Sequence, residues 1–88
     1  MTTTLLVQDL ARLHPENTHI EIMIKRLRTD ATAGCYHDFI ELPNRSVVFP
    51  KMKLVSDIQS IISLCTDHAI INSLNAIIEA TQDGKYDD

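Results

Sequence analysis

The stretch SDIQSIISLCTDHAIINSLNAIIEATQ, residues 56–82, decides the fold because its apolar residues change face near Cys65. On a helical wheel its two apolar stripes lie about 150° apart, so one straight helix would bury opposite faces at its two ends. We therefore predict two helices, residues 56–64 and 67–82, with Ser56 in a capping box and Thr66 or Asp67 as the second cap. The first stripe contains Ile58, Ile61, Ile62, Cys65 and Ala69, and the second contains Ile70, Ile71, Leu74, Ile77 and Ile78.

The alternative is one unbroken helix whose two stripes face the core and a partner chain. Hydrophobic residues make up 44% of the 88-residue chain, and a chain of this size buries only roughly 64% of its surface on folding. A second copy would enlarge the core. We therefore expect a homodimer that self-associates through Ile70, Ile71, Leu74, Ile77 and Ile78.

Two more helices are predicted near the N-terminus. Leu6, Leu10 and Leu13 follow helical spacing and predict a helix over residues 4–13, which His14-Pro15 should end because a residue before proline avoids the α region. The next stripe predicts a helix from Pro15 to about Thr32. It contains Ile20, Met23, Ile24 and Leu27.

Residues 19–28 also alternate as a strand would, and isoleucine favours strands. We prefer a helix because the flanking Ala31 and Ala33 and the charged run KRLR carry no turn signal typical of strands.

Between the helices the composition becomes aromatic and β-branched. The segments CYHDFIEL (35–42) and RSVVF (45–49) flank Pro43-Asn44, a combination that predicts a β-hairpin. The predicted class is therefore α+β, mostly helical, with the order α-α-β-β-α-α. We expect one compact domain over residues 1–82, an acidic frayed tail over 83–88 and no internal repeat.

Charge is distributed unevenly along a chain whose formal net charge is −4. Lys25, Arg26 and Arg28 form the sharpest basic cluster and are a candidate partner-binding surface, although cations near a helix C-terminus are also ordinary. The second candidate is the acidic end, with Asp83, Asp87 and Asp88. Nucleic acid is not the expected partner, because duplex-binding domains usually carry net positive charge. We expect a cytoplasmic protein without a membrane span or secretory signal.

A metal site has one weak candidate ligand set. Cys35, His37, Cys65 and His68 could supply the two sulfurs and two nitrogens of a zinc shell. The paired Cys-x-x-Cys spacing is missing, and Cys65 equally suits a small core position. We expect no metal and no cofactor.

Catalytic motifs are missing from the sequence. His37 and Asp38 are adjacent, and adjacent strand residues point to opposite faces, so neither can easily orient the other. No Gly-x-Ser-x-Gly elbow, P-loop or dinucleotide fingerprint occurs. We expect a protein that is not an enzyme.

One segment resembles a known family. SVVFPKMKLVSDIQSIISLCTDHAIINSLNAIIEA, residues 46–80, has the order strand, proline, helix, short turn and helix, and so resembles the ribbon-helix-helix DNA-binding dimers. The resemblance implies that strand residues among Arg45–Phe49, with Lys51 beyond them, would enter the major groove. Apolar Val47 and Val48 cannot make the hydrogen bonds of base readout, so a DNA-binding regulator is the alternative function.

The leading hypothesis is a regulatory module that acts by binding another protein, as inhibitors, adaptors and immunity proteins do. It rests on the aliphatic excess, the two stripes of residues 56–82 and a charged surface without a catalytic motif. A small zinc-binding domain is the second alternative.

Overall fold

Four α-helices dominate the structure, a computed structural model that describes residues 3–33, 36, 40–41, 47–48 and 50–86. The first two helices along the chain pack as one helical hairpin and the last two as another, and the two hairpins meet through the second and third helices. Short loops favour this side-by-side packing of consecutive helices. None of the described helices has the length and apolar character needed to cross a membrane. The elements are α1 (Thr3–Ala11), α2 (Thr18–Thr32), β1 (Ile40–Glu41), β2 (Val47–Val48), α3 (Pro50–Leu64) and α4 (His68–Gln82).

Helix α2 begins at an asparagine cap. The Asn17 side chain accepts hydrogen bonds from the backbone N–H groups of His19 at 2.9 Å and Ile20 at 3.2 Å, which satisfies amides that have no partner within the helix. The helical interpretation of residues 19–28 is confirmed, whereas the predicted start at Pro15 is wrong because the cap lies at Asn17. The apolar stripe that α2 buries comprises Ile20, Ile24, Leu27 and Ala31.

The predicted break near Cys65 is also confirmed. Helix α3 ends at Leu64 and α4 begins at His68. Asp67 caps α4, and its side chain accepts a hydrogen bond from the Ala69 N–H at 2.9 Å. The Asp67 cap thus begins a new helix, and the two apolar stripes lie on separate helices.

Helix α3 starts earlier than predicted. It begins at Pro50, since proline is favoured at the first helical position, where its missing N–H costs no hydrogen bond. Ser56 therefore lies inside the helix, and its predicted capping box is wrong.

The core lies between the two hairpins and receives side chains from all four helices. It is completed by Tyr36 and Tyr86, which lie outside the helices and are 0% and 1% exposed. The buried helical side chains, besides the α2 stripe, are Leu6, Leu10, Leu54, Ile58, Ile61, Ile70, Leu74, Ile77, Ile78 and Thr81.

The predicted α+β class, with a β-hairpin in the order α-α-β-β-α-α, is wrong. The part of the chain that the structure describes is a four-helix fold. Its only strand pairing joins β1 to β2 over two residues each, Ile40 opposite Val48 and Glu41 opposite Val47, whereas ordinary strands have roughly five or six residues. The buried side chains of the described helices form one core cluster in which the apolar stripes cover one another. Residues 34–35, 37–39, 42–46 and 49 lie outside the described residues.

Ordered structure continues past Gln82, where the sequence predicts the start of a tail. Gly84 has a φ of 87°, and the Lys85 N–H donates to the Ala80 carbonyl at 2.9 Å. These two features form the glycine-containing Schellman turn that often ends a helix. The turn carries Tyr86 back into the core, and residues 87–88 lie outside the described residues.

Leu74→Ala should destabilise the protein strongly, because Leu74 is 0% exposed in the middle of the core. We expect a loss of about 2–5 kcal/mol in the free energy of unfolding and a Tm lower by about 10 °C or more. Leu64→Ala is the matched control, because Leu64 is 58% exposed and should change stability by less than about 0.5 kcal/mol. Thermal and urea unfolding followed by circular dichroism measure both variants, and equal losses would contradict the assigned core.

Candidate functional site

The basic cluster predicted from the sequence lies on α2, between two surface grooves. Lys25 and Arg26 are exposed and Arg28 is half-buried; we call these three residues the basic face. The α1/α2 groove, of about 540 Å³, is lined by Lys25 and Arg28. The α2/α3 groove, of about 390 Å³, is lined by Arg26 and, from α3, by Lys53. Both grooves are open to solvent and large enough to receive side chains of a partner.

The cations of the basic face have no partner within the described chain. The ion pairs between described residues join Arg12 to Asp9, Lys53 to Asp57 and Lys85 to Asp9. None of the three residues of the basic face forms such a pair with a described residue. The basic face is therefore available to a negatively charged ligand.

Arg28 gives the clearest sign of an unmet interaction. Its Nε is buried and has no hydrogen-bond partner among the described residues, a situation that costs about 1–3 kcal/mol. The hydroxyls of Thr29 and Thr32 donate to the backbone carbonyls of Lys25 at 3.1 Å and Arg28 at 2.8 Å, and neither hydroxyl accepts a hydrogen bond from Arg28 Nε. Buried donors are normally satisfied in native proteins, so Arg28 is the exception among the described side chains.

Compensation of the helix dipole does not explain the basic face. Favourable interaction with the dipole is confined to the last turn of a helix, and the last turn of α2 contains no basic residue. The cluster lies further toward the N-terminus of α2.

The acidic candidate surface is described only in part. Asp83 is exposed at the end of α4, while Asp87 and Asp88 lie outside the described residues. The acidic end therefore stays a prediction.

The predicted self-association stripe lies inside the chain's own core. Ile70, Leu74, Ile77 and Ile78 are all less than one tenth exposed, and Ile71 is half-buried. Self-association through this stripe stays a prediction, and it would require the two hairpins to separate.

The predicted zinc ligands are not brought together in the described part of the chain. Cys65 is a half-buried free thiol whose Sγ lies 3.7 Å from the Asp67 carbonyl oxygen, and His68 is exposed. No three His, Cys, Asp or Glu side chains of the described residues could hold one metal ion. Cys35 and His37 lie outside the described residues, so the four-ligand set stays a prediction.

Two polar clusters that sequence reasoning missed join the ends of the hairpins. In the Tyr86 cluster, Asp9 Oδ2 accepts hydrogen bonds from the Tyr86 hydroxyl at 2.7 Å and from Lys85 Nζ at 2.8 Å. Arg12 lies 3.5 Å from the other carboxylate oxygen. The Lys85 ammonium also lies 5.6 Å from the centre of the Tyr86 ring, within the range of a cation–π interaction.

The Tyr36 cluster has the same composition. The Tyr36 hydroxyl donates to Asp57 Oδ2, and Lys53 Nζ donates to the same oxygen at 3.0 Å. The Lys53 ammonium lies 5.0 Å from the centre of the Tyr36 ring. A carboxylate, a tyrosine and a lysine thus meet twice in one small protein.

Burial and hydrogen bonding oppose each other at the Tyr86 cluster. Burial alone would raise the pKa of Asp9, but hydrogen bonds from Lys85 and Tyr86 and the charges of Lys85 and Arg12 outweigh it and lower the pKa below 3.8. Burial, the hydrogen bond to Asp9 and the charge of Asp9 raise the pKa of Tyr86 well above its usual range. The arrangement therefore keeps Asp9 charged and Tyr86 protonated, which suits a structural link between the chain ends.

Comparison with known proteins found no matching family model and no significantly similar curated protein or solved structure.

Replacing Asp9 with asparagine should flatten the acid dependence of stability. Because the folded pKa of Asp9 is lowered, its contribution is complete above the unfolded value of about 3.8 and is lost as pH falls through the folded value. We expect Asp9→Asn to cost about 1–3 kcal/mol at neutral pH, and its difference from wild type to shrink below about pH 3.8. Urea unfolding across this pH range measures the effect.

Asp30→Asn is the control for this experiment, because Asp30 makes no hydrogen bond to a described residue. It should leave stability at neutral pH nearly unchanged. A loss as large as that of Asp9→Asn, or a difference that grows in acid, would contradict the role assigned to Asp9.

Proposed function

We propose that this chain is a protein-binding module whose basic face on α2 binds an acidic segment of another protein. The observation that carries the proposal is a set of three cations that form no ion pair with a described residue, including the buried and unsatisfied Nε of Arg28, on a chain with a formal net charge of −4. Carboxylates accept strong, charge-assisted and often bidentate hydrogen bonds from arginine.

The surroundings of the basic face favour an amphipathic partner segment. Ile22, one helical turn before Arg26, is 59% exposed, and Met23 and Leu27 line the adjoining α2/α3 groove. A helix with apolar residues on one side and carboxylates beside them could contact both kinds of surface. Helices that lay an apolar face into a groove are a common mode of peptide recognition.

A protein segment fits these surroundings better than a nucleic acid does. Asp30 and Asp57 line the α2/α3 groove next to Arg26 and would repel a continuous phosphate backbone, whereas a helical segment can place its apolar side chains in this groove and its carboxylates away from the two aspartates, beside Lys25 and Arg28. In the segment that resembles the ribbon-helix-helix family, only Val47 and Val48 of the strand are described, as β2. The inhibitor, adaptor and immunity classes suggested by the sequence all act by binding another protein.

Arg28→Met separates binding from folding. Methionine keeps much of the side-chain length and removes the unpaired donor, so we expect unchanged or slightly higher stability of the free protein. Affinity for a glutamate-rich amphipathic helical peptide should fall at least about tenfold, because the charge-assisted hydrogen bonds are lost. Titration calorimetry at physiological salt measures this change.

Arg12→Met is the matched control, because the Arg12 side chain is 77% exposed and lies outside the basic face, beside Asp9. It should change peptide affinity less than about twofold. A control peptide that carries glutamine in place of glutamate should bind the wild-type protein weakly. Equal loss of affinity in both variants, or tighter binding of a DNA duplex than of the acidic peptide, would overturn the proposal.

A further inference from the structure

We infer that the chain is an internal duplication, in which residues 6–36 and 54–86 are two copies of one helix–loop–helix unit related by an approximate two-fold axis. Each copy ends in a tyrosine that binds the first helix of the other copy. The inference is independent of the proposed function. It also corrects the sequence-based expectation that the chain contains no repeat.

The sequences of the two copies match at positions that form the core and the two tyrosine clusters. LVQDL (6–10) in α1 corresponds to LVSDI (54–58) in α3, at an offset of 48 residues. Gly34-x-Tyr36 after α2 corresponds to Gly84-x-Tyr86 after α4, at an offset of 50 residues. The difference between the two offsets falls in the loop region of each hairpin, where insertions are tolerated. Such scattered identities are too sparse to reveal the repeat without a structure.

The second helices of the two copies have the same length, the same kinds of cap and corresponding buried positions. Each has 15 residues, with an Asx residue, Asn17 or Asp67, as its N-cap. Each also ends in a C-cap residue in the right-handed helical conformation, Ala33 or Asp83. The buried positions correspond at the same offset, as Ile20 with Ile70, Ile24 with Leu74 and Leu27 with Ile77.

The surface grooves are related in the same way. A second groove lies between α4 and α1, as the α2/α3 groove lies between α2 and α3. Corresponding residues line both, since Leu27, Asp57 and Ile61 in one match Ile77, Asp9 and Leu13 in the other. Another depression is lined by residues 15–17 together with residues 65–67. The approximate axis therefore passes between the two N-caps, Asn17 and Asp67.

The tyrosine contacts connect the copies reciprocally. Tyr36 of the first copy binds Asp57 of the second, and Tyr86 of the second binds Asp9 of the first. The two aspartates correspond to each other, and so do the two tyrosines. A two-fold arrangement requires this reciprocity, because residue i contacting residue j implies that j contacts i.

The lysines of the two clusters make the same contacts from positions that do not correspond in sequence. Lys53 comes from α3, one turn before Asp57, whereas Lys85 is the neighbour of Tyr86. They do not correspond in sequence, since Lys53 aligns with Leu5 and Lys85 with Cys35. Both nevertheless bind the aspartate and lie over the tyrosine ring.

The copies differ mainly on their outer faces. The basic face of α2 has no counterpart on α4, where Asn75, Ala76 and Ile78 occupy the equivalent positions. The duplicated core and clusters thus form a symmetric scaffold, and the charged surface belongs to the first copy alone.

Double-mutant cycles on the full chain test the reciprocal contacts. Tyr36→Phe should couple to Asp57→Asn, and Tyr86→Phe should couple to Asp9→Asn. Each double variant should therefore lose less stability than the sum of the losses in its two single variants. We expect couplings of roughly threefold or more in the equilibrium constant of unfolding. The crossed pairs, Tyr36→Phe with Asp9→Asn and Tyr86→Phe with Asp57→Asn, should combine within about twofold.

Nuclear magnetic resonance of the rings gives a readout that does not need the double variants to fold. The chain has two tyrosines, so Tyr36→Phe and Tyr86→Phe assign the ring signals. Asp9→Asn should shift the Tyr86 ring and leave the Tyr36 ring in place, and Asp57→Asn should do the converse. Crossed pairs that couple as strongly as the proposed ones, or an Asp9→Asn variant that shifts the Tyr36 ring alone, would overturn the inference.

Discussion

The structure depends on one constraint: a two-helix hairpin has an apolar face that only another packed element can cover. Leu6 and Leu10 with the α2 stripe form such a face, and Leu54, Ile58 and Ile61 with the α4 stripe form the other. Because apolar burial is the main favourable term in folding, neither hairpin is expected to be stable alone in water. In this chain each hairpin covers the other, so the apolar stripes of the described helices are buried against one another.

Polar groups then determine how the two hairpins are joined. Asp9 and Asp57 each accept hydrogen bonds from a tyrosine hydroxyl and a lysine ammonium. Both tyrosine side chains are buried, so their hydroxyls need partners. The carboxylates provide those partners at the edge of the core. The ends of both hairpins are thereby fixed, while the basic face of α2 is left with donors that the described chain does not satisfy.

Much of the helical structure could be predicted from local sequence. The spacing of Ile20, Ile24 and Leu27 identified α2, and the change of apolar face near Cys65 identified two helices in place of one. The hairpin prediction gave the wrong fold class because composition reports only a weak, context-dependent preference for strand, and the described strands β1 and β2 have two residues each. The sequence analysis placed the start of α3 too late, because a proline such as Pro50 can either end a strand or occupy the first position of a helix.

The sequence by itself determined the helical stripes, the Asp67 cap and the position of the basic cluster, because these depend on residues within a few positions of one another. Only the tertiary structure decided what covers the stripe that begins at Ile70, since periodicity marks a buried face without naming its partner. The tyrosine clusters also required the fold. Tyr86 and Asp9 are 77 positions apart, and no local pattern relates two side chains at that distance.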